Sequence, residues 1–324
     1  MHKPVMHRPA PAQPVTTGGC LVLGMGQLGQ CLRAAQPATG AAAAAVVYLG
    51  HADLDITDYP AVVAKIQQLQ PQVLINATAY TAVDQAETDI DLAYKVNAFA
   101  VEHLARACAE QGTALLHVST DFVFGGQDDS AVDHRRQHKP WLPTDQTHPM
   151  GVYGASKLVG EQAILATANL RACIVRTSWL YSEYGQNFVK TMLRLMAERD
   201  TLGVVDDQVG APTDALGLAR VLWALAASCL AAAPNMPTGI CHWSDQGQIS
   251  WYAFAVEIQA QALALGLLSR PIPINAIATH DYPTPARRPA YSVLDSQQLA
   301  QALAIPQAAW QVNLQRVLQA LTNT

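Results

Sequence analysis

Tyr153 and Lys157 stand four residues apart in Tyr153-Gly154-Ala155-Ser156-Lys157, the single Y-x-x-x-K of this 324-residue chain. On a helix that spacing puts both side chains on one face. A phenol with a pKa of about 10 is a poor acid–base catalyst at neutral pH, and a neighbouring ammonium favours the phenolate and lowers that value. The pair therefore suits proton transfer to or from an oxygen, and Lys157 could also hold a ribose hydroxyl. Upstream, the apolar run ALLHVST (114–120) ends in Ser119-Thr120-Asp121. A hydroxyl at the carboxyl end of a strand faces the crevice where open parallel sheets bind ligands, so Thr120 can steady a substrate oxygen as charge develops on it. Without the Tyr–Lys pair, a turn is the competing, less favoured reading of the same residues.

A second constellation lies near the amino terminus. Gly24-Met25-Gly26-Gln27-Leu28-Gly29 fits G-x-G-x-x-G between an apolar run and a helical stretch. In that setting the glycines permit a sharp turn and close approach of backbone to a pyrophosphate, and the helix start offers free N–H groups to it. About 20 residues on, a carboxylate would bind the ribose 2′-hydroxyl of NAD. Gly50-His51-Ala52 occupies that place and Asp53 comes late. Without the carboxylate a 2′-phosphate meets less repulsion, and His51 can face it, so NADPH is favoured over NADH with both usable. Asp55-Ile56 is placed to meet the adenine, while Thr57 or Asp58 reads as a helix N-cap.

These groups need a scaffold, and the periodicity supplies one. Strand-like runs at 20–23, 44–50, 72–79, 114–120 and 173–181 alternate with helical patterns at 61–70, 92–111 and 152–168, with Gly112 as a helix stop. The alternation predicts an α/β fold: a Rossmann-type, doubly wound parallel sheet. Residues 125–150 read as a loop. Beyond 178 the pattern loosens and prolines accumulate, which predicts a smaller substrate-binding lobe. The expected division is a flexible arm (1–18), a dinucleotide-binding domain (19–177) and a carboxyl-terminal lobe (178–324), with about 204–232 returning to the first domain.

Composition narrows the classes. A net charge of −5 gives no basic surface for nucleic acid. Cysteines 20, 31, 108, 173, 229 and 241 form no C-x-x-C and read as buried thiols of a reducing compartment. VLWALAASCLAAA (221–233) falls short of the roughly 20 residues that span a bilayer, so it reads as a buried helix. A cytoplasmic protein without membrane attachment is expected.

Together these residues resemble the extended short-chain dehydrogenase/reductase family, and within it the nucleotide-sugar 4-ketoreductases. The resemblance runs from about Gly19 to the end, through NATAYTAVDQAE (76–87), HVSTDFVFGG (117–126), YGASKLVGEQ (153–162), VRTSWLYSEYGQNF (175–188), DDQVGAPT (206–213) and YPTPARRPAYSVLD (282–295). It implies reduction of dTDP-4-dehydro-L-rhamnose to dTDP-L-rhamnose with NADPH or NADH, for bacterial cell-surface polysaccharide, by a monomer or homodimer. The family's catalytic Thr, Tyr and Lys match Thr120, Tyr153 and Lys157. Its cofactor contacts match the glycine turn, Ala77-Thr78-Ala79 and Lys157. Thr120, Asp121, Phe122, Tyr153, Trp179 and Asn187 would meet the sugar, and Arg288 its diphosphate; read alone, Trp179 could fill core and Arg288 lie in solvent. Two departures stand out. The usual first turn, G-x-x-G-x-x-G, is one residue longer, and the positions of the interface glutamates that hold Mg²⁺ in some members are Cys31 and Leu216 here, so no metal is carried over.

Two rival readings frame the test. A related dehydratase would carry Asp-Glu after the catalytic Thr, whereas Phe122 follows Asp121 here; an epimerase would return its hydride. A non-catalytic dinucleotide-binding regulatory subunit, like the reductase-related beta subunit of methionine adenosyltransferase, would need no complete Thr–Tyr–Lys set.

Overall fold

In the computed structural model the described residues are 18–40, 45–126, 139–233 and 236–322. Almost all of the expected amino-terminal arm, residue 44 at the head of the second predicted strand and residues 127–138 of the predicted loop lie outside them.

Six strands form one parallel sheet: β1 (Cys20–Leu23), β2 (Val46–Leu49), β3 (Val73–Asn76), β4 (Ala114–Thr120), β5 (Ala172–Thr177) and β6 (Gly239–His242). Their order is β6-β5-β4-β3-β1-β2, with every neighbouring pair parallel. Strands covered on both faces need apolar residues on both, and β1 shows it. Cys20 and Val22 join the cluster under α1 (Gln27–Ala34), while Leu21 and Leu23 join the opposite one, under α2 (Tyr59–Leu69). That second face also takes α3, which runs through Ile90–Tyr94, a π-helical turn Lys95–Phe99 and Ala100–Gln111, and α4 (Val152–Ala166). Gly112 (φ +69°) ends α3 in the left-handed conformation, as its sequence position predicts. The chain passes from β1 outward to β2 and then back across to β3, so the carboxyl ends of β1 and β3 flank the switch point where such sheets bind ligands.

A third apolar cluster lies away from the sheet. It joins Tyr181 to Val189, Met192, Phe254, Ile258, Trp310 and Leu314, the last six from α5 (Phe188–Glu198), α7 (Trp251–Ala264) and α8 (Trp310–Leu321). The intervening α6 (Ala215–Leu230) packs instead on the sheet beside α1. Among the described residues no helix is long and apolar enough to cross a membrane, and all six cysteines are buried and free.

Two strand readings need correction. The run 72–79 stops as a strand at Asn76, because the Asn76 side chain takes the Thr78 N–H at 3.0 Å in place of a ladder partner. The run 173–181 is not one strand. Trp179 adopts φ +44°, and Leu180–Tyr181 leaves the sheet to pair with Thr213–Asp214.

Candidate active site

β1 delivers the chain into the glycine turn at the switch point. Gly24 has φ +96°, and a Cβ there would sit 2.8 Å from the Ala77 carbonyl at the end of β3. A Cβ on Gly29 would lie 1.9 Å from the Gly24 oxygen, so only glycine lets α1 start this close to the strand. Gly26 differs: a Cβ there meets nothing within 4 Å, and no side chain caps the start of α1. This turn opens into a cleft of about 1050 Å³ whose walls include Gly24, Met25, Gly26, Gln27 and Leu28. Uncapped amides facing such a space suit an anionic group.

The β2 tip forms the next wall. His51, Asp55 and Ile56 line the cleft, but the Asp53 carboxylate accepts the Gly50 N–H at 2.8 Å and closes the turn instead. The two readings of 55–58 divide between residues. Asp55 accepts from the Thr57 N–H and hydroxyl, which hold its carboxyl below the usual range, while Asp58 caps α2. Ala77, Thr78 and Ala79 complete this end.

Thr120, Asp121, Phe122, Tyr153 and Lys157 meet on the opposite wall. β4 carries Thr120 to its carboxyl end, and α4 presents Tyr153 and Lys157 one turn apart. The Thr120 hydroxyl donates to Asp121 Oδ1 (3.2 Å) and accepts the Phe122 N–H (3.2 Å). Burial pushes the Asp121 carboxyl up to about 6. The Tyr153 ring packs edge-on against Phe122, 5.5 Å between centroids. Its phenol is not lowered by Lys157 as the sequence predicts: burial pushes it up to about 12, the Thr120 hydroxyl opposes the rise and the Asp121 charge adds to it. Lys157, 1% exposed, bonds its ammonium to β4. Nζ donates to the Val118 carbonyl (2.7 Å) and lies 3.3 Å from His117 Nε2, and desolvation pushes it down to about 8.

Of the expected sugar contacts, Trp179 lines the cleft. Its ring stacks on Trp251 at 3.4 Å and 10°, and a Cβ on Gly210 would reach within 2.5 Å of it. Asn187 and Arg288 are not among the residues that line the cleft. Asn187 caps α5 through Lys190 N–H, and its amide donates to Gln27 Oε1 and the Ser182 carbonyl, both at 2.8 Å. Arg288 grips Asp84 through two bonds of 2.7 and 3.1 Å. The cleft also takes Thr81, Lys95, Thr177, Ser178 and Gln186, which the sequence reading passed over. Thr177 ends β5 just as Thr120 ends β4, so the strand-end rule could have found it.

A family model, the RmlD substrate binding domain, matches residues 19–323. The chain belongs to this family. A relative from Aggregatibacter actinomycetemcomitans, a dTDP-4-dehydrorhamnose reductase, is 43% identical over 272 residues, 84% of this chain and 89% of its own length. The crystal structure of a dTDP-4-dehydrorhamnose reductase from Clostridium acetobutylicum matches with a TM-score of 0.82 and 35% identity, covering 94% of this chain and 99% of that one. Another from Bacillus anthracis, in complex with NADP, matches with a TM-score of 0.81 and 32% identity, covering 95% of this chain and 100% of that one. In RmlD terms, the match takes in both the glycine turn and the Tyr153–Lys157 helix.

Proposed function

We propose that the chain reduces the 4-keto group of dTDP-4-dehydro-L-rhamnose to give dTDP-L-rhamnose, using NADPH or NADH. The observation that carries this reading is the convergence of Thr120, Tyr153 and Lys157 on the cleft into which the glycine turn opens, in a chain 43% identical to a reductase of that name.

The turn fits a dinucleotide. Gly26 leaves the space a pyrophosphate needs, and the uncapped start of α1 supplies its N–H groups. Met25 to Gly29, Ala77 to Ala79, His51 and Asp55-Ile56 would hold the cofactor, which when bound supplies a hydride to the sugar C4. The NADP-bound Bacillus anthracis relative and the engagement of Asp53 by Gly50 both favour acceptance of the 2′-phosphate. Tyr153 gives its proton to the ketone oxygen, which becomes the C4 hydroxyl. Thr120 turns its hydroxyl from Asp121 to that oxygen as negative charge grows there. Lys157 would hold the ribose of the bound cofactor and replenish the Tyr153 proton. Trp179, Phe122 and Asp121 bound the sugar, and Asn187 acts at one remove by fixing Gln27.

The partner is thus a nucleotide sugar, not a nucleic acid or a membrane, and the protein acts as a monomer or homodimer in a bacterial cytoplasm. The sheet domain carries the cofactor, and the lobe built from 178–324, apart from about 204–232, carries the sugar. Net oxidation of NADPH on addition of freshly generated 4-keto substrate, with a rhamnosyl product identified by mass and NMR, is the expected result. Tight cofactor binding without oxidation would favour the regulatory-subunit reading.

A further inference from the structure

Behind the cleft, Asn76, His117 and Lys157 form a line through the sheet. Asn76 and His117 are register partners on β3 and β4, both fully buried. The Asn76 amide can be oriented from chemistry alone. The Thr78 N–H lies 3.0 Å from its Oδ1, and the Thr78 hydroxyl lies 2.6 Å from the same atom. A backbone N–H only donates, so the atom facing it is oxygen, and the atom 3.1 Å from His117 Nδ1 is the amide nitrogen. That nitrogen also only donates. His117 Nδ1 therefore accepts, and the single proton of the neutral ring sits on Nε2.

Nε2 faces Lys157 Nζ at 3.3 Å. An ammonium presents only N–H to that site, whereas a neutral amine offers a lone pair. We propose that Asn76 and His117 are positioning residues: Asn76 fixes the Nε2–H tautomer of His117, which stabilises the amine that Lys157 becomes after giving up a proton. Resting on the reductase reading, the sequence of proton moves balances. The Tyr153 O–H bond breaks as the sugar O–H forms; a Lys157 N–H then breaks as the Tyr153 O–H is restored; the freed Nζ lone pair accepts the His117 Nε2–H.

The surroundings agree. Burial and the Lys157 charge push His117 well below its ordinary value, so it stays neutral. The groups that meet Lys157 Nζ are the Val118 carbonyl and His117 on β4, while Tyr153, a turn earlier, and Asp121 line the same cleft. Glu161, a turn later, draws the Lys157 value upward, but both its oxygens bond Arg176.

The test is NMR of the full chain labelled at the histidine ring nitrogens and lysine Cε. The expected wild-type result is a neutral Nε2–H tautomer at His117 and a Lys157 midpoint at least one pH unit below the other lysines. Asn76→Asp keeps the acceptor for Thr78 but offers Nδ1 an acceptor in place of a donor. The ring proton should move to Nδ1, Nε2 should accept from the ammonium, and the Lys157 midpoint should rise by about one unit, a tenfold change in amine fraction at fixed pH. The alkaline limb of NADPH oxidation should move with it. An Nδ1–H tautomer in the wild type overturns the proposal even if the variant does not fold, and so does a Lys157 midpoint unmoved in Asn76→Asp. Neither readout needs turnover, so failure of the reductase reading would appear separately, as absent NADPH oxidation.

Discussion

Arg176 and Lys157 are two cations buried on adjoining elements, each 1% exposed, and their neighbours differ in kind. Arg176 meets Glu161 through two parallel bonds, 2.6 and 2.9 Å, and lies over the Phe124 ring. Lys157 has a carbonyl and an imidazole instead. Glu161 acts on both cations, yet its geometry assigns it to Arg176. A guanidinium in a carboxylate fork keeps its proton and fixes structure; an amine in a dry, weakly paired site can release one. The same helix thus carries the carboxylate that anchors Arg176 on one turn and a proton-mobile group on the turn before it.

The sharpest way to break this contrast is on the mobile side. Tyr153→Phe keeps the ring and removes the proton donor, so single turnover should fall by about 10²–10⁴-fold while NADPH affinity, read by fluorescence titration, stays close to wild type. Lys157→Ala should lower both. Retention of more than about a third of the wild-type rate in Tyr153→Phe would remove it as the acid.

On the anchor side, Glu161→Gln leaves Arg176 buried without its counter-charge, and urea unfolding should show a loss of about 3–5 kcal/mol. The same change removes the upward pull on Lys157, so its midpoint should fall further. A stability loss with no movement at Lys157 would mean that the two cations are independent.

A third buried group sharpens the comparison more gently. Arg316 bridges Asp214 and Glu183, and the nearby Asp245 carboxyl is raised by burial, with the Asp214 charge adding to the rise, to about 7. A raised carboxyl favours the folded state when protonated. Its contribution is full below the unfolded value near 3.8 and is lost as pH rises through about 7. Asp245→Asn lacks that loss, so between pH 5 and pH 8 its stability relative to wild type should improve by about 2 kcal/mol. A difference that stays constant across that range would contradict the assignment. The smallest expected effect concerns the cofactor. NADPH should be at least as good as NADH in kcat/KM, and a preference for NADH above about a hundredfold, near 2.7 kcal/mol, would overturn the reading of the β2 tip.

Local pattern made much of this legible. The glycine turn, Thr120 at a strand end and the Tyr153–Lys157 spacing are all contained in a few consecutive residues, and the strand–helix alternation fixed the sheet that gathers them. What escaped depends on partners far along the chain. Arg288 is bound by Asp84, 204 residues away, and Asn187 by Gln27, 160 residues away. Neither pairing leaves a periodic trace. Trp179 looked like strand because its neighbours are apolar; its backbone is left-handed, and its ring stacks on Trp251, seventy-odd residues later. Asn76 and His117 lay inside apolar runs, and only the parallel register of β3 and β4 makes them neighbours.

The reductase reading itself is tested most directly by isotope. With NADPH carrying deuterium at the transferable nicotinamide position and dTDP-4-dehydro-L-rhamnose as substrate, deuterium should appear at C4 of dTDP-L-rhamnose, one atom for each NADPH oxidised. A rearranged sugar with no net oxidation, or bound NADPH that is never consumed, would contradict it.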